Sequence, residues 1–278
     1  MDKKIVKEII PECARKFSFG KYRYYIFNKP DLVFSDNHKM ELFEFTAKLI
    51  QETFEKEDQS YFRSRKNYFG DIDQYWLVLD KGGEAVGFCG VKKLCYEGRD
   101  AIYLDTVNIA REHQGNGIAS IMVCLTWLLN SISSRSFVPF AMRTQNPAVY
   151  KSIIRMVEPN VIPEIDYVCE RKVRQRIYGF ARYVAEMMSK GAEVDYDEET
   201  SVCRSAYGRN LYRKGFRFSS EDSVTRYFDA VLNRDAGDTM MVVVWPRVTP
   251  YRFLRMLALM VPRSVPVPML KSSRSSQA

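Results

Sequence analysis

The stretch that most limits the fold is Asp105–Asn130, DTVNIAREHQGNGIASIMVCLTWLLN. In it a β-like run ends, a loop carries Gln114-Gly115-Asn116-Gly117-Ile118-Ala119, and an apolar helix begins. Glycine lets the backbone turn tightly, so several N–H groups can converge on one point. With the positive end of a helix macrodipole behind them, such amides hold phosphate oxygens. Two phosphate loops are excluded by the residues themselves. A P-loop needs Lys after its glycines, and none follows here. A dinucleotide fingerprint needs Gly or Ala three residues after its second glycine, where Ser120 stands. It also needs an acidic residue about twenty positions further on, where the chain has Ser133-Ser134-Arg135.

The run before the loop also argues against a parallel βαβ unit. Tyr75–Leu79, Ala85–Leu94 and Ala101–Ile109 are β-prone and separated by the turns Lys81-Gly82-Gly83-Glu84 and Glu97-Gly98-Arg99-Asp100, so they predict an antiparallel meander. Period two places Tyr103, Asp105 and Val107 on one side of the third strand, with Leu104, Thr106 and Asn108 on the other. Upstream, Met40, Phe43, Ala47, Ile50 and Phe54 recur at helical spacing through His38–Glu57. Leu32–Phe34 is a candidate strand. Downstream, Ala119–Asn130, Pro147–Val157, 166–190 and Glu221–Leu232 read as helices, and Phe137–Met142 and Thr239–Trp245 as strands. Gly191–Thr200 reads as an acidic loop. This order predicts an α/β (α+β) fold with a mixed, largely antiparallel central sheet flanked by helices.

Composition narrows the function. From Thr239 onward there are six basic and no acidic residues, leaving residues 1–238 with 36 basic against 34 acidic side chains of the chain's 42 and 34. A near-neutral body with a basic tail lacks the basic face of a nucleic-acid-binding domain. Arg171–Arg176 and Arg209–Arg217 keep such binding as a minor class, marked by steep salt dependence. The six cysteines form no CxxC pair and only two histidines occur, His38 and His113, so neither a zinc site nor a Ser-His-Asp or Cys-His centre is expected. Scattered thiols, the lack of a signal peptide and the lack of an apolar run long enough to span a bilayer predict a cytoplasmic protein with reduced cysteines.

Gln114-x-x-Gly117-x-Ala119 resembles the acetyl-CoA loop, Gln/Arg-x-x-Gly-x-Gly/Ala, of the GNAT superfamily of acyl-CoA-dependent N-acyltransferases. Ile109-Ala110-Arg111 stands where that family has Val-x-Pro, with Arg111 in place of the common proline. Arg143-Thr144-Gln145-Asn146-Pro147 resembles the end of the family's fifth strand and the Asn that opens its next helix. The resemblance covers about 31–157 and the strand near 239–245. It implies an extension at 1–30, a GNAT-like domain at 31–248 with an insert near 160–220, and a tail at 249–278.

The resemblance further implies acetyl-CoA as co-substrate, with no metal. Val107, Asn108 and Ile109 would bind the pantetheine arm through the backbone, and Asn146 would contact it from the far side. Gln114 would be among the cofactor-binding residues, and the amides of Gly115, Asn116, Gly117, Ile118 and Ala119 would take the pyrophosphate. The Ile109 N–H would face the oxyanion formed when a neutral amine attacks the thioester. Asp105 is the candidate base, directly or through a water, with a solvent-facing or salt-bridged Asp as its alternative. Tyr150 is the candidate acid, because the usual tyrosine position holds Ile153.

The implied function is transfer of an acetyl group to a primary amine of a small molecule or a protein. The alternative is a catalytically silent acyl-CoA-binding module used for sensing or assembly. The acceptor pocket is expected between the first long helix, the 58–73 segment and the insert, whose Asp195, Asp197, Glu198 and Glu199 could attract a cationic amine. The run Tyr251–Val261 between Pro250 and Pro262 is too short to cross a bilayer, and is expected to dock on the domain, on a second subunit or on a membrane surface.

Overall fold

The computed structural model describes residues 10–11, 14–54, 60–157, 160–166, 168–189, 195–212 and 222–246. The tail expectations therefore lie outside the described residues. The elements in chain order are β1 (Arg15–Phe19), β2 (Tyr22–Asn28), α1 (Pro30–Val33), α2 (Asp36–Phe54), α3 (Ser60–Arg63), β3 (Gln74–Leu79), β4 (Ala85–Tyr96) and β5 (Arg99–Ile109). Then follow α4 (Ile118–Ser133), β6 (Phe140–Thr144), α5 (Pro147–Val157), β7 (Val161–Ile162), α6 (Arg171–Met188), β8 (Tyr196–Asp197), β9 (Val202–Cys203), α7 (Ser223–Val231) and β10 (Thr239–Val244).

The strands form one sheet in the order β1-β2-β3-β4-β5-β6-β10-β9-β8, with β7 also on β10. The meander β3–β4–β5 stands as the sequence predicts, and among the described residues every strand pairing is antiparallel except that of β5 with β6. This is a mixed, mostly antiparallel open sheet flanked by helices.

Two expectations are corrected. Leu32–Phe34 is not a strand: Lys29 turns the chain at φ 49°, Pro30 opens the short helix α1, and Phe34 follows it in extended conformation. Pro30 is suited to that place because its ring presets φ and its missing N–H is not needed there. The aromatic run Tyr22–Phe27, set apart in the sequence as part of an extension, is a strand of the sheet itself. It pairs with β3 on one side and β1 on the other, and its side chains are buried save Arg23, as suits an apolar run inside a sheet.

The two faces of the sheet are covered by different helices. Tyr75 on β3 places its hydroxyl 3.0 Å from Thr46 Oγ1 of α2, whereas its neighbour Gln74 accepts from Asn130 Nδ2 of α4 at 3.1 Å. Alternation carries this division across the meander. Phe88 stacks on Tyr75 on the α2 face, and Tyr96 packs on Phe180 of α6 on that same face. α5 packs beside α4 on the other face. Burying Trp76, Trp127, Phe88 and Phe140 contributes about 1.5–3 kcal/mol for each large side chain, which holds both layers to the sheet.

Candidate active site

The site begins where strand pairing stops. β5 and β6 run in parallel register at Ile102 with Phe140, Tyr103 with Ala141 and Leu104 with Met142, and their pairing ends there. At the same point the register between β4 and β5 slips: Val91 faces Leu104 and Gly90 faces Thr106, so Asp105 is an extra residue. A bulge of this kind bends the strand and re-aims side chains. The resulting cleft, about 530 Å³, runs between the diverging strands. That volume falls within the roughly 300–1,000 Å³ of small-molecule sites.

The bulge corrects the period-two reading of the third meander strand. Asp105 and Thr106 lie on the α2 face together, and Thr106 Oγ1 donates to Asp105 Oδ2 at 2.8 Å. Ile109 lies on the other face, against Gly87. Asp105 and Ile109 therefore do not share a side.

Backbone direction in β5 follows from one bond. Ala110 N–H donates to Val86 O at 2.8 Å, and alternation then turns the peptide groups of Asn108 and Thr106 toward β4. Those of Val107 and Ile109 face the open cleft. Of the three positions expected to meet a ligand through the backbone, Asn108 is thus directed away. The Ile109 carbonyl accepts from Gln114 Nε2 at 3.1 Å and from Thr53 Oγ1 at 3.3 Å, which ties the loop and α2 to the strand end.

The loop itself is tight. Asn116 Nδ2 donates to His113 O at 3.1 Å, and the His113 Nδ1 is 3.2 Å from the Tyr22 hydroxyl. The side chains of Gln114 and Asn116 thus bind the chain itself, and Asn116 does not line the cleft. Gly115 and Gly117 both sit at φ 77°, the left-handed region that favours glycine, and a Cβ built on either meets no atom within 4 Å. Gly117 caps α4 without a side-chain bond, and the first helical bond is Ile121 N–H to Gly117 O at 3.0 Å. The amides of Ile118, Ala119 and Ser120 precede that bond, as in a helix N-terminus able to hold an anion.

Neither candidate catalytic side chain stands as the sequence suggests. The Asp105 carboxylate, only 3% exposed, is gripped by Arg65, with Nη1–Oδ2 2.6 Å and Nη2–Oδ1 3.2 Å. It lines the cleft as one half of an ion pair, and a proton placed on it would break that pair. Tyr150 is fully buried, donates its hydroxyl to Pro163 O at 2.5 Å and packs on Phe228 of α7. Helical geometry is the reason: Ala148, Val149, Ser152 and Ile153 form the side of α5 turned to the cleft, and Tyr150 lies off it.

Other residues converge as well, and of these only Asn146 was named from the sequence, through the resemblance. Arg143 on β6 donates from Nε to the Tyr103 hydroxyl at 3.1 Å, and its guanidinium lies 5.5 Å from the centre of the Tyr207 ring. Tyr212 packs edge-on against Phe54 of α2 at 5.0 Å and is hydrogen-bonded to the Asn146 side chain. Burial pushes the Tyr212 hydroxyl above its ordinary pKa, against the opposing effect of the Asn146 bond. Asn146 Oδ1 also accepts from Ala148 N–H at 2.8 Å, which opens α5. Gln51 and Phe54 of α2, Phe62 and Arg65 of the 58–73 segment, and Tyr207, Arg209, Leu211 and Tyr212 of the 160–220 segment also line the cleft.

The acidic residues of the insert are elsewhere. Asp197 pairs with Arg204 at 3.1 Å and accepts from Thr200, Glu198 pairs with Arg182, and none of Asp195, Asp197, Glu198 or Glu199 lines the cleft. Among the described residues no group of three His, Cys, Asp or Glu side chains is placed to hold a metal, and no helix is long and apolar enough to cross a membrane.

Comparison with known proteins adds a family. Residues 40–136 match the acetyltransferase (GNAT) family. Solved structures similar to the chain include a glucosamine N-acetyltransferase region of a fungal multi-domain β-N-acetylglucosaminidase, at 10% identity and TM-score 0.37. The match covers 64% of this chain and 24% of that one. A GNAT family acetyltransferase of Staphylococcus aureus is 13% identical, with TM-score 0.35 and coverage of 46% and 89%. The ribosomal-protein-S5-alanine acetyltransferase of Vibrio fischeri is 14% identical, with TM-score 0.36 and coverage of 55% and 89%. No curated protein matches the chain.

Proposed function

We propose that the chain, whose residues 40–136 match the acetyltransferase (GNAT) family, moves an acetyl group from acetyl-CoA to a primary amine. The observation that supports this reading is the open edge of β5 beyond Leu104, which leads through the glycine loop into the uncapped N-terminus of α4. The residues fit the co-substrate. Open space over Gly115 and Gly117 leaves room for a pyrophosphate beside the amides of Ile118, Ala119 and Ser120. The Val107 and Ile109 peptide groups would hold the pantetheine arm, with Asn146 across from them.

Acetyl-CoA, when bound, supplies the thioester carbonyl that the amine attacks. The Ile109 N–H is the donor available to its oxygen, the kind of preorganised donor that stabilises developing negative charge. In this reading Asp105 fixes Arg65 and takes no proton. Arg143 on the same face disfavours the ammonium form of a nearby amine, because like charges repel, and so helps keep the nucleophile neutral. Tyr212 stays protonated at neutral pH and is the donor for the departing thiolate.

A silent acyl-CoA-binding module remains the second reading, favoured by one observation: Asp105 and Tyr150 are both engaged by protein groups. Calorimetry with acetyl-CoA and CoA release over a panel of amines separate the two. Binding without turnover on any amine supports the module. Gly117→Trp is expected to abolish acetyl-CoA binding while the fold persists; unchanged affinity in a folded variant refutes the loop assignment.

A further inference from the structure

One end of the sheet gathers apolar and basic groups that the cleft does not use. β6 begins at Phe140, opposite the end of β10 at Val244, and β5 runs parallel to β6, so this end lies away from the glycine loop. α6 starts here as well. Cys169 Sγ donates to Val161 O at 3.3 Å, Val161 faces Val244, and Trp245 N–H donates to Asn160 O at 2.8 Å. The last turn of α4 reaches the same end through the bond from Ser134 to Asp100 at the start of β5. Ile132 of α4, Phe137 before β6 and Val168 before α6 are exposed around the point where the chain continues past Pro246. Single exposed apolar side chains are ordinary, but these are three of the six large ones among the described residues.

Basic groups stand beside them. α6 opens with Arg171, Lys172, Arg174 and Arg176, all exposed, and has no acidic residue in its first turn. The free N–H groups of a first turn favour acids, so helix stability does not account for these cations. Arg174 pairs with Glu164 at 3.0 Å, whereas Arg171, Lys172 and Arg176 have no side-chain partner among the described residues. Against these four cations stand Glu164, Asp166, which accepts from Ser223, and Glu170, so the described surface is only mildly basic. The chain that follows Pro246 supplies the rest. Residues 247–278 hold Arg247, Arg252, Arg255, Arg263, Lys271 and Arg274 and no acidic residue.

The same segment is apolar. At about 100° per residue, Phe253, Leu254, Met256, Leu257, Met260 and Val261 fall in one sector, with Arg252 and Arg255 outside it. A nucleic acid would take the charges and leave these side chains in water. A second copy would bring the same cations to the same end. An anionic bilayer answers both features, with headgroups for the cations and the acyl boundary for the apolar sector. We propose that this end of the molecule binds the surface of an anionic membrane. In this arrangement the apolar sector of Tyr251–Val261 lies in the interface, Arg171, Lys172 and Arg176 meet the headgroups, and Ile132, Phe137 and Val168 border the contact. The glycine loop then faces away from the lipid. The binding does not depend on the acetyltransferase reading.

The test is flotation of the full chain with vesicles of phosphatidylcholine alone and of phosphatidylcholine with phosphatidylglycerol. The chain should float with the anionic vesicles only, and binding should weaken as salt rises. Each cation near an anionic surface is worth roughly fivefold in partition. Arg171→Gln, Lys172→Gln and Arg176→Gln together should therefore weaken binding by up to about a hundredfold. Leu254→Glu with Leu257→Glu should abolish it. Lys21→Gln with Lys81→Gln, two exposed cations in the turns at the loop end, should leave it unchanged. The substituted residues of the body are exposed, so these variants should keep the parent's Tm. The proposal is overturned if the chain does not float with anionic vesicles, or floats equally with neutral ones. It is overturned too if the α6 variant binds like the parent, or if the loop-end variant loses as much. A DNA duplex that displaces the chain from anionic vesicles would assign the surface to nucleic acid instead and overturn it as well.

Discussion

Replacing Asp105 by Asn separates an ion-pair role from a general-base role, because the two demand different magnitudes in different assays. The Asp105 side chain is 3% exposed and that of Arg65 17%, so this is a largely desolvated pair with two N–H···O contacts. Removing one partner of such a pair leaves the other charge stranded, at about 3–5 kcal/mol. Arg65 keeps some access to water and a place over the Tyr68 ring at 4.8 Å, which favours the lower end. A loss of about 3 kcal/mol would lower Tm by roughly 6–12 °C in a domain of this size. Thermal unfolding of Asp105→Asn, Arg65→Gln and the double variant closes a mutant cycle. Both single variants should lose stability comparably, and the double should lose less than their sum by about 1–3 kcal/mol. Turnover should fall together with the loss of this pair in both single variants. The reasoning is refuted if Asp105→Asn is as stable as the parent and yet loses roughly a hundredfold in turnover, the signature of a missing base.

Two further outcomes follow from particular contacts. A Cβ on Gly90 would clash with the fully buried Tyr68 hydroxyl, so Gly90→Ala should cost about 1–3 kcal/mol in urea unfolding, and Tyr68→Phe in the same chain should recover part of it. The Thr200 hydroxyl, then the Thr200 and Glu199 amides and Arg204, hold the Asp197 carboxyl below its ordinary pKa. Its contribution is therefore present above the unfolded value near 4 and is lost as pH falls through the lower folded value. Asp197→Asn should flatten the fall of Tm on the acid side of about pH 4 and leave its slope near neutrality unchanged.

The sequence alone determined the parts governed by short-range chemistry. Turn residues and period two made the β3–β4–β5 meander legible. Helical spacing revealed α2 and α4, and the glycines before α4 revealed a loop shaped for phosphate. Each signal is carried by neighbours in the chain, so local backbone preference suffices to read it.

Tertiary structure decided the chemistry at the throat. Period two placed Asp105 beside Ile109, but the bulge against Gly90 turned Val107 and Ile109 to the α4 face and left Asp105 on the α2 face, in the grip of Arg65, forty residues away. Tyr150 and Ile153 share one helix, and only the packing of α5 against α7 determined that the tyrosine would be buried and the isoleucine would face the cleft. Arg143, Tyr103 and Tyr207 come from three separate segments with no common pattern. Where the pairing of β5 with β6 ends is likewise a property of two strands joined through a helix. A site assembled by sheet closure depends on register and face, and these are set by long-range pairing that no local window of the chain contains.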